Sequence, residues 1–146
     1  MSTLRTYAYR GLGELARKQM SYSQAVRVGN IVHISGQGGY DRDTVKIPAD
    51  INAEVDQAFE NVAHVLRDAG SNGWSQVYNV RTYSTDIKAT EPRIIENFRR
   101  YMPDHHPVWT AVGVSKLTLG EMRLEIEVEA YDPAGAAKAN EKGSSE

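Results

Sequence analysis

The chain has 146 residues, a formal net charge of −2 and no cysteine. This length is typical of one domain that buries its own core, and the lack of cysteine excludes disulfides, thiolate zinc sites and a cysteine nucleophile. Charges of both signs are spread along the chain and no apolar run approaches the roughly 20 residues of a membrane-spanning helix, so we expect neither a nucleic-acid-binding face nor a membrane anchor.

Three strands are predicted in the N-terminal part of the chain. Residues 3–9 are β-rich and unbroken, which predicts the first strand. Residues 24–28 and 31–35 predict a hairpin, because Gly29-Asn30 between them supplies the positive φ of a tight turn. The N-terminal arginines also resemble a transit peptide, but the alternation of residues 3–9 favours the strand.

The segments around these strands are predicted to be irregular. Residues 14–21 are expected to form a polar connector, and Gly36–Asp41 a loop. The glycines of that loop lack the Lys-Ser/Thr of a phosphate-binding loop, so we interpret them as a tight turn at the rim of a cleft, with backbone amides available as donors.

Two amphipathic helices follow. Apolar residues at steps of three and four over Val55–Ala69 predict the first, with Asp50 as the N-cap and Gly70 closing the end. The second is predicted over residues 90–103, with Pro92 in its first turn.

The rest of the core is predicted to consist of strands over residues 77–84, 108–117 and 122–130. The last of these alternates strictly between apolar and charged residues. We expect one domain over residues 1–132 and, because its composition cannot build a core, a flexible tail over 133–146. The order βββ-α-β-α-ββ predicts an α+β two-layer domain, a mixed sheet with both helices on one face.

Several motifs in this order resemble the reactive intermediate deaminase family, also called Rid, YjgF or L-PSP. The resemblance covers about Tyr22 to Tyr131 and is strong because the spacing of all motifs is consistent. The motifs that carry it are Tyr22–Asn30 (YSQAVRVGN), Ser35-Gly36-Gln37, Ala58–Val62 (AFENV), Ala69-Gly70 and Arg123–Ala130 (RLEIEVEA).

The resemblance implies a chorismate-mutase-like fold and a homotrimer with three clefts between subunits. It also implies hydrolysis of imines and enamines, formed from amino acids, to keto acids and ammonia without a cofactor. In that family an arginine in a Pro-x-Arg-Ser segment pairs with the substrate carboxylate, and a glutamate in the last strand positions the attacking water.

This chain carries part of that site. Tyr22, Ser35, Gly36 and Glu125 match the family pattern, and Gln37 and Ala111 complete the predicted binding set together with Trp109 and Arg123. The family's substrate arginine has no counterpart here, because Trp109 stands in its place. The asparagine often found in the family's second helix has no clear counterpart either. We therefore expect a divergent member that acts on something other than the usual imino acids.

Trp109 and the nearby cations leave alternatives open. An indole cannot neutralise a carboxylate, but it can stack on a flat, weakly charged ligand or fill a subunit interface. Arg123 either binds substrate or pairs with the adjacent acids, and Arg81 is a further candidate cation. His105 and His106 match no metal-ligand spacing, so we expect no metal site.

Glu125 is the predicted catalytic residue. A carboxylate in a partly dry cleft has a raised pKa and can deprotonate water. The alternative is a solvated sheet face, since Glu127 and Glu129 continue the same alternation; the family motif favours a cleft role for Glu125. Tyr22 is predicted to donate from its hydroxyl to the ligand, or else to be an ordinary half-buried tyrosine.

The sequence thus predicts a cofactor-independent trimeric enzyme that hydrolyses or tautomerises an imine, an enamine or a related conjugated molecule. A trimer that binds small molecules without catalysis, or acts like a chaperone, is the alternative. Ribonuclease activity is less compatible with the lack of a basic, aromatic-rich face. We expect the small-molecule ligand and the chain itself as partners, and a cytoplasmic location, with the mitochondrion as the alternative.

Overall fold

The computed structural model describes residues 1–144. The elements in chain order are β1 (Arg5–Tyr7), α1 (Leu12–Met20), β2 (Ala25–Val28), β3 (Ile31–Ile34), β4 (Gln37–Gly38), α2 (Ile51–Asp68), a 3-10 helix (Gly73–Gln76), β5 (Val77–Ser84), α3 (Ile87–Tyr101), β6 (Val108–Gly113), β7 (Leu124–Tyr131) and α4 (Pro133–Ser144).

The strands of the described residues form one mixed sheet in the order β1-β2-β3-β7-β5-β6, with β4 paired to β7 beyond the end of β3. β5 and β6 are parallel, and the other pairs are antiparallel. The α+β fold with a mixed sheet, predicted from the element order, is confirmed.

One face of this sheet is the core face, and α2 and α3 cover it. The alternation of β7 buries Leu124, Ile126, Val128 and Ala130, as the sequence predicts. Phe59 of α2 stacks at 4.6 Å on Trp74 and contacts rings of α3. The apolar stripe of α2 is therefore buried against the sheet. Burial of apolar surface of this kind is the dominant favourable contribution to the free energy of folding.

The helix ends agree with the capping rules. Asp50 accepts a hydrogen bond from the Ala53 amide at 2.8 Å and begins α2, as predicted. The second helix begins at Ile87 rather than at residue 90, because Asp86 caps it by accepting from the Ala89 amide at 3.1 Å.

Two segments predicted to be irregular are ordered. Most of the polar connector expected over residues 14–21 belongs to α1 (Leu12–Met20), which buries Ala16 and has a basic last turn that complements the helix dipole. Gln37 and Gly38, in the expected loop, form β4 and pair with Ile126 and Glu125 of β7.

The flexible tail expected from residue 133 is wrong for residues 133–144, which form α4. Asp132 begins this helix by accepting from the Gly135 amide at 3.0 Å, and it forms a buried ion pair at 2.7 Å with Arg27 of β2. The alanine-rich sequence favours a helix once that end is held. The last two residues of the expected tail lie outside the described residues, and the domain limit at residue 132 stays a prediction.

Within residues 1–144, no helix combines the length and the apolar character that crossing a bilayer requires.

Candidate functional site

A pocket of about 370 Å³ lies between α1 and the end of the sheet where β4 meets β7. Its volume is in the range of small-molecule sites. Four predicted site residues line it together: Tyr22, Ser35, Gly36 and Glu125. The other lining residues are Leu12, Leu15, Ala16, Gln19, Met20, Gln24, Gly38, Tyr40, Val45, Thr118, Leu119 and Met122.

Glu125 is held against the backbone of the segment that follows β3. It stands on the outer face of β7, opposite Tyr83 of β5 and Gly38 of β4 in the sheet register. A Cβ added at Gly36 would overlap the Glu125 carboxylate. A side chain at position 36 would therefore displace the Glu125 side chain from the place it occupies here.

The electrostatics of the site single out Glu125 among the acids of β7. Burial, with a smaller contribution from the charge of Glu127, raises the pKa of the Glu125 carboxyl. No backbone or side-chain group of residues 1–144 donates a hydrogen bond to it. A raised pKa and free lone pairs are the properties of a general base.

The neighbouring Glu127 has the opposite environment. Burial alone would raise the pKa of Glu127, but hydrogen bonds from His33 at 2.9 Å and Tyr83 at 3.0 Å outweigh it and lower the pKa. Two carboxylates on one face thus differ in protonation behaviour, a separation often seen where one of them acts as a base.

The polar floor beneath the pocket is built by Gln37. Its amide donates to Gln24 at 2.8 Å and accepts from the Tyr40 hydroxyl at 2.9 Å. Gln37 is fully buried and is not among the lining residues, so the structure places it behind the pocket wall, and its contact with substrate stays a prediction. The Ser35 hydroxyl also bonds inward, to the Ser23 carbonyl at 2.7 Å, so Gln37 and Ser35 hold the shape of the site.

Trp109 lies away from the Glu125 pocket, on the opposite face of the sheet. On β6 it is paired with the buried Val80, so its ring points to the core face, whereas Glu125 points to the outer face. Its indole nitrogen donates to the Thr82 hydroxyl at 3.0 Å, and its ring meets Phe98 edge-on at 5.1 Å. Trp109 does not line the Glu125 pocket of its own chain.

The surroundings of Trp109 form a separate groove of about 440 Å³, which includes Phe98, His105 and His106. His105 is bound to the Val77 carbonyl at 2.7 Å. Ala111, two residues after Trp109, is exposed on β6 and lines neither cavity. Among residues 1–144, no group of three or more His, Cys, Asp or Glu side chains is placed to hold a metal ion.

Arg123 has a structural role in this chain. Its side chain binds the fully buried Glu54 of α2 at 3.0 Å and the carbonyl oxygens of Pro48 and Ala49. Its predicted contact with substrate stays a prediction, but the alternative that it pairs with the adjacent acids is wrong. The physical reason is that Arg123 precedes β7, so the strand alternation does not hold it beside Glu125.

The apolar wall of the pocket has no counterpart among the site residues predicted from the sequence. Leu15 and Met20 come from α1, and Leu119 and Met122 from the segment before β7. The signal for α1 was present, because apolar residues at positions 12, 15, 16 and 20 follow the helical spacing. Arg81, the further candidate cation, lies opposite Glu127 in the sheet and outside this pocket.

Comparison with known proteins places this geometry in a family. The family model described as Endoribonuclease L-PSP matches residues 15–132. A protein of Dermatophagoides farinae named 2-iminobutanoate/2-iminopropanoate deaminase is 34% identical over 107 residues, 73% of this chain and 81% of that one. The mitochondrial protein MMF1 of Saccharomyces cerevisiae is 30% identical over 112 residues, 77% of this chain and 75% of that one.

The fold comparison agrees. The crystal structure of RidA from the Antarctic bacterium Psychrobacter sp. superimposes with a TM-score of 0.71 and 32% identity, covering 90% of this chain and 99% of that one. The two-layer α+β fold of the YjgF type is thereby confirmed. The chain belongs to the endoribonuclease L-PSP family, the Rid/YjgF family that its motifs predict.

Proposed function

We propose that this protein is a cofactor-independent hydrolase of imines or enamines and that Glu125 is its general base. The observation that carries the proposal is a single unpaired carboxylate of raised pKa facing an otherwise uncharged pocket. The name of the Dermatophagoides farinae relative, 2-iminobutanoate/2-iminopropanoate deaminase, supports the same reaction class.

The reaction needs only a base and a water molecule. The imine nitrogen takes a proton from solvent while Glu125 takes one from water, and the water oxygen bonds to the carbon of the C=N group to give a carbinolamine. Glu125 then passes its proton to the nitrogen, the carbon–nitrogen bond breaks to release ammonia, and the proton of the hydroxyl group returns to solvent, which leaves a C=O group. Tyr22, which is exposed at the pocket, donates from its hydroxyl to the polar end of the ligand.

The substrate is an uncharged or weakly charged imine. No lysine, arginine or histidine is among the lining residues of the pocket, and Glu125 is the one ionisable carboxylate. A ligand carboxylate would lose its hydration there without gaining an ion pair, which is costly. The lack of basic groups also argues against RNA cleavage at this site, since nucleic-acid binding depends on contacts with phosphates.

The complete cleft forms between subunits of a homotrimer. Trp109 and Glu125 lie on opposite faces of one sheet, so both can border the same ligand only if they come from two copies. β6, which carries Trp109, is an edge strand with its outer side unpaired among residues 1–144. In such a cleft the indole stacks on the flat C=N system of the ligand.

Ammonia release from imines generated in situ tests the proposal. 2-Iminobutane and 2-iminobutanoate form a matched pair that differs by a methyl group in place of a carboxylate. The wild type is expected to accelerate ammonia release from the neutral imine, and Glu125→Gln to lose about 10²–10⁴-fold of that rate. Glu121→Gln, at an exposed acid just before β7, is the control.

An equal rate for Glu125→Gln and the wild type would contradict the assignment of Glu125. If the wild type releases no ammonia from neutral, aromatic or carboxylated imines, the result would favour a trimer that binds small molecules without catalysis.

A further inference from the structure

The apolar wall of the Glu125 pocket is unusual because its side chains are left open to solvent. Leu15, Met20, Val45 and Leu119 are 46%, 60%, 39% and 39% exposed, and all four line this pocket. Exposed apolar residues scattered singly need no explanation, but a cluster around one cavity marks a binding surface.

Val45 stands at this wall in a backbone conformation that valine rarely adopts. Its φ is 63°, in the left-handed region, where a β-branched side chain is strained. The turn that holds it is closed by a hydrogen bond from the Val45 amide to the Asp41 carbonyl at 2.8 Å and by Asp41 capping the Asp43 and Thr44 amides. Gly or Asn would fit this backbone better, so the fold bears strain where it presents an isopropyl group to the pocket.

α1 carries the rest of the wall and is anchored to the domain. Ala16 is buried beneath it, and Arg17 reaches Thr6 at 3.2 Å and Ser23 at 3.4 Å. Leu15 and Met20 are therefore held at the pocket by a helix that is fixed from its other side, and neither belongs to the hydrophobic core of residues 1–144.

We propose that Leu15, Met20, Val45 and Leu119 form a specificity subsite that binds the hydrocarbon substituent of an uncharged imine whose C=N group lies at Glu125. This inference rests on the proposed function, because it names the substrate class of the same pocket. The uncharged lining, the open apolar side chains and the strained valine all select for a ligand with an apolar tail.

Calorimetric binding of methyl ketones, the uncharged products of such imines, tests the subsite without catalysis. From 2-butanone to 2-octanone, the affinity of the wild type is expected to rise roughly fourfold per added methylene until the subsite is filled. The matching 2-oxo acids are expected to bind about tenfold more weakly than ketones of equal length.

Two variants and a control locate the effect. Leu15→Ser and Val45→Asn are expected to flatten the dependence on chain length, whereas Lys18→Ser, at an exposed position of α1 outside the pocket, leaves it unchanged. Val45→Asn is also expected to raise the melting temperature, because asparagine tolerates the left-handed region. A gain in stability together with weaker binding distinguishes a subsite from a structural role.

A wild-type affinity that does not change with the length of the ketone overturns the inference. A dependence on ketone length that is the same in both variants as in the wild type also overturns it. If a changed oligomeric mass is the sole effect of the two substitutions, the wall is an interface between copies and the inference is likewise overturned. If ketone affinity rises with ketone length as expected but no imine is hydrolysed, the proposed function is wrong and the subsite remains. If imines are hydrolysed at rates that do not depend on the length of their hydrocarbon substituent, the proposed function remains and the subsite is wrong.

Discussion

At the scale of single residues, the environment of Glu125 distinguishes it from the two acids that follow it on β7. Glu127 accepts hydrogen bonds from His33 and Tyr83, and Glu129 accepts one from Tyr78 at 2.6 Å. Glu125 has no such donor within residues 1–144 and packs against Gly36. The same residue type on the same strand face therefore serves different purposes, because the neighbouring strands supply donors to two acids and a pocket to the third.

The raised pKa of Glu125 predicts a specific dependence of stability on pH. The folded state holds the proton of Glu125 more tightly than the unfolded state does, so stability falls as pH rises from the ordinary value of about 4.3 through the raised folded pKa. The melting temperature of the wild type is expected to fall relative to that of Glu125→Gln as pH rises through this window. At pH values below the window, the difference between the two melting temperatures is expected to be constant. The acid limb of hydrolysis should lie in the same window.

Melting curves of both proteins across this pH range supply the measurement, with Glu121→Gln as the reference for an exposed acid. A difference between the wild type and Glu125→Gln that moves in favour of the wild type as pH rises would contradict the burial of this carboxylate.

At the scale of elements, the contact between Arg123 and Glu54 joins the start of α2 to the start of β7. Gly39 packs closely on the backbone of Glu54, since a Cβ added at Gly39 would collide with the Glu54 carbonyl. The segment after β4, the start of α2 and the start of β7 therefore meet at this point. This contact lies beside the segment before β7, which forms part of the pocket wall, but Arg123 itself does not line the pocket.

Arg123→Met is expected to lower the free energy of unfolding by about 3 kcal/mol, because it leaves the fully buried Glu54 without its ion-pair partner. The KM for a neutral imine should remain close to that of the wild type. Denaturant unfolding and steady-state kinetics measure the two effects, with Lys116→Met as the exposed control. A double variant with Glu54→Gln should recover part of the loss; a raised KM with unchanged stability would instead make Arg123 a ligand-binding residue.

The elements also show what the sequence can predict. The alternation of β7 and the apolar stripe of α2 identify buried residues correctly, because both depend on a period set by backbone geometry. The sequence does not predict α4 or the ends of α3 and β6 correctly. These features depend on contacts between distant segments, such as the pairing of Arg27 with Asp132.

The candidate site was predictable where a motif carries it and not elsewhere. Tyr22, Ser35, Gly36 and Glu125 meet in one pocket as the family motifs imply. The position of Arg123 depends on Glu54, which is 69 residues away in the chain. The wall residue Val45 gives no local signal, because its left-handed backbone contradicts the preference of valine and arises from the Asp41 turn.

At the scale of the whole molecule, the separation of Trp109 from Glu125 makes the oligomer part of the proposed site. Within one chain Trp109 packs on Phe98 and Thr82, and the pocket at Glu125 is uncharged apart from its base. The account therefore predicts that discrimination between neutral and carboxylated substrates depends on residue 109 only in an assembled protein. A trimer in sedimentation experiments is the state in which that dependence is expected.

The most direct measurement is the ratio of kcat/KM for 2-iminobutane to that for 2-iminobutanoate, in the wild type and in Trp109→Arg, with sedimentation on the same samples. The account predicts that the wild type favours the neutral imine by about tenfold or more, and that the arginine variant, still a trimer, shifts the ratio towards the carboxylate. A wild type that prefers 2-iminobutanoate would contradict the account, because the pocket would then bind a carboxylate without Trp109 having been replaced.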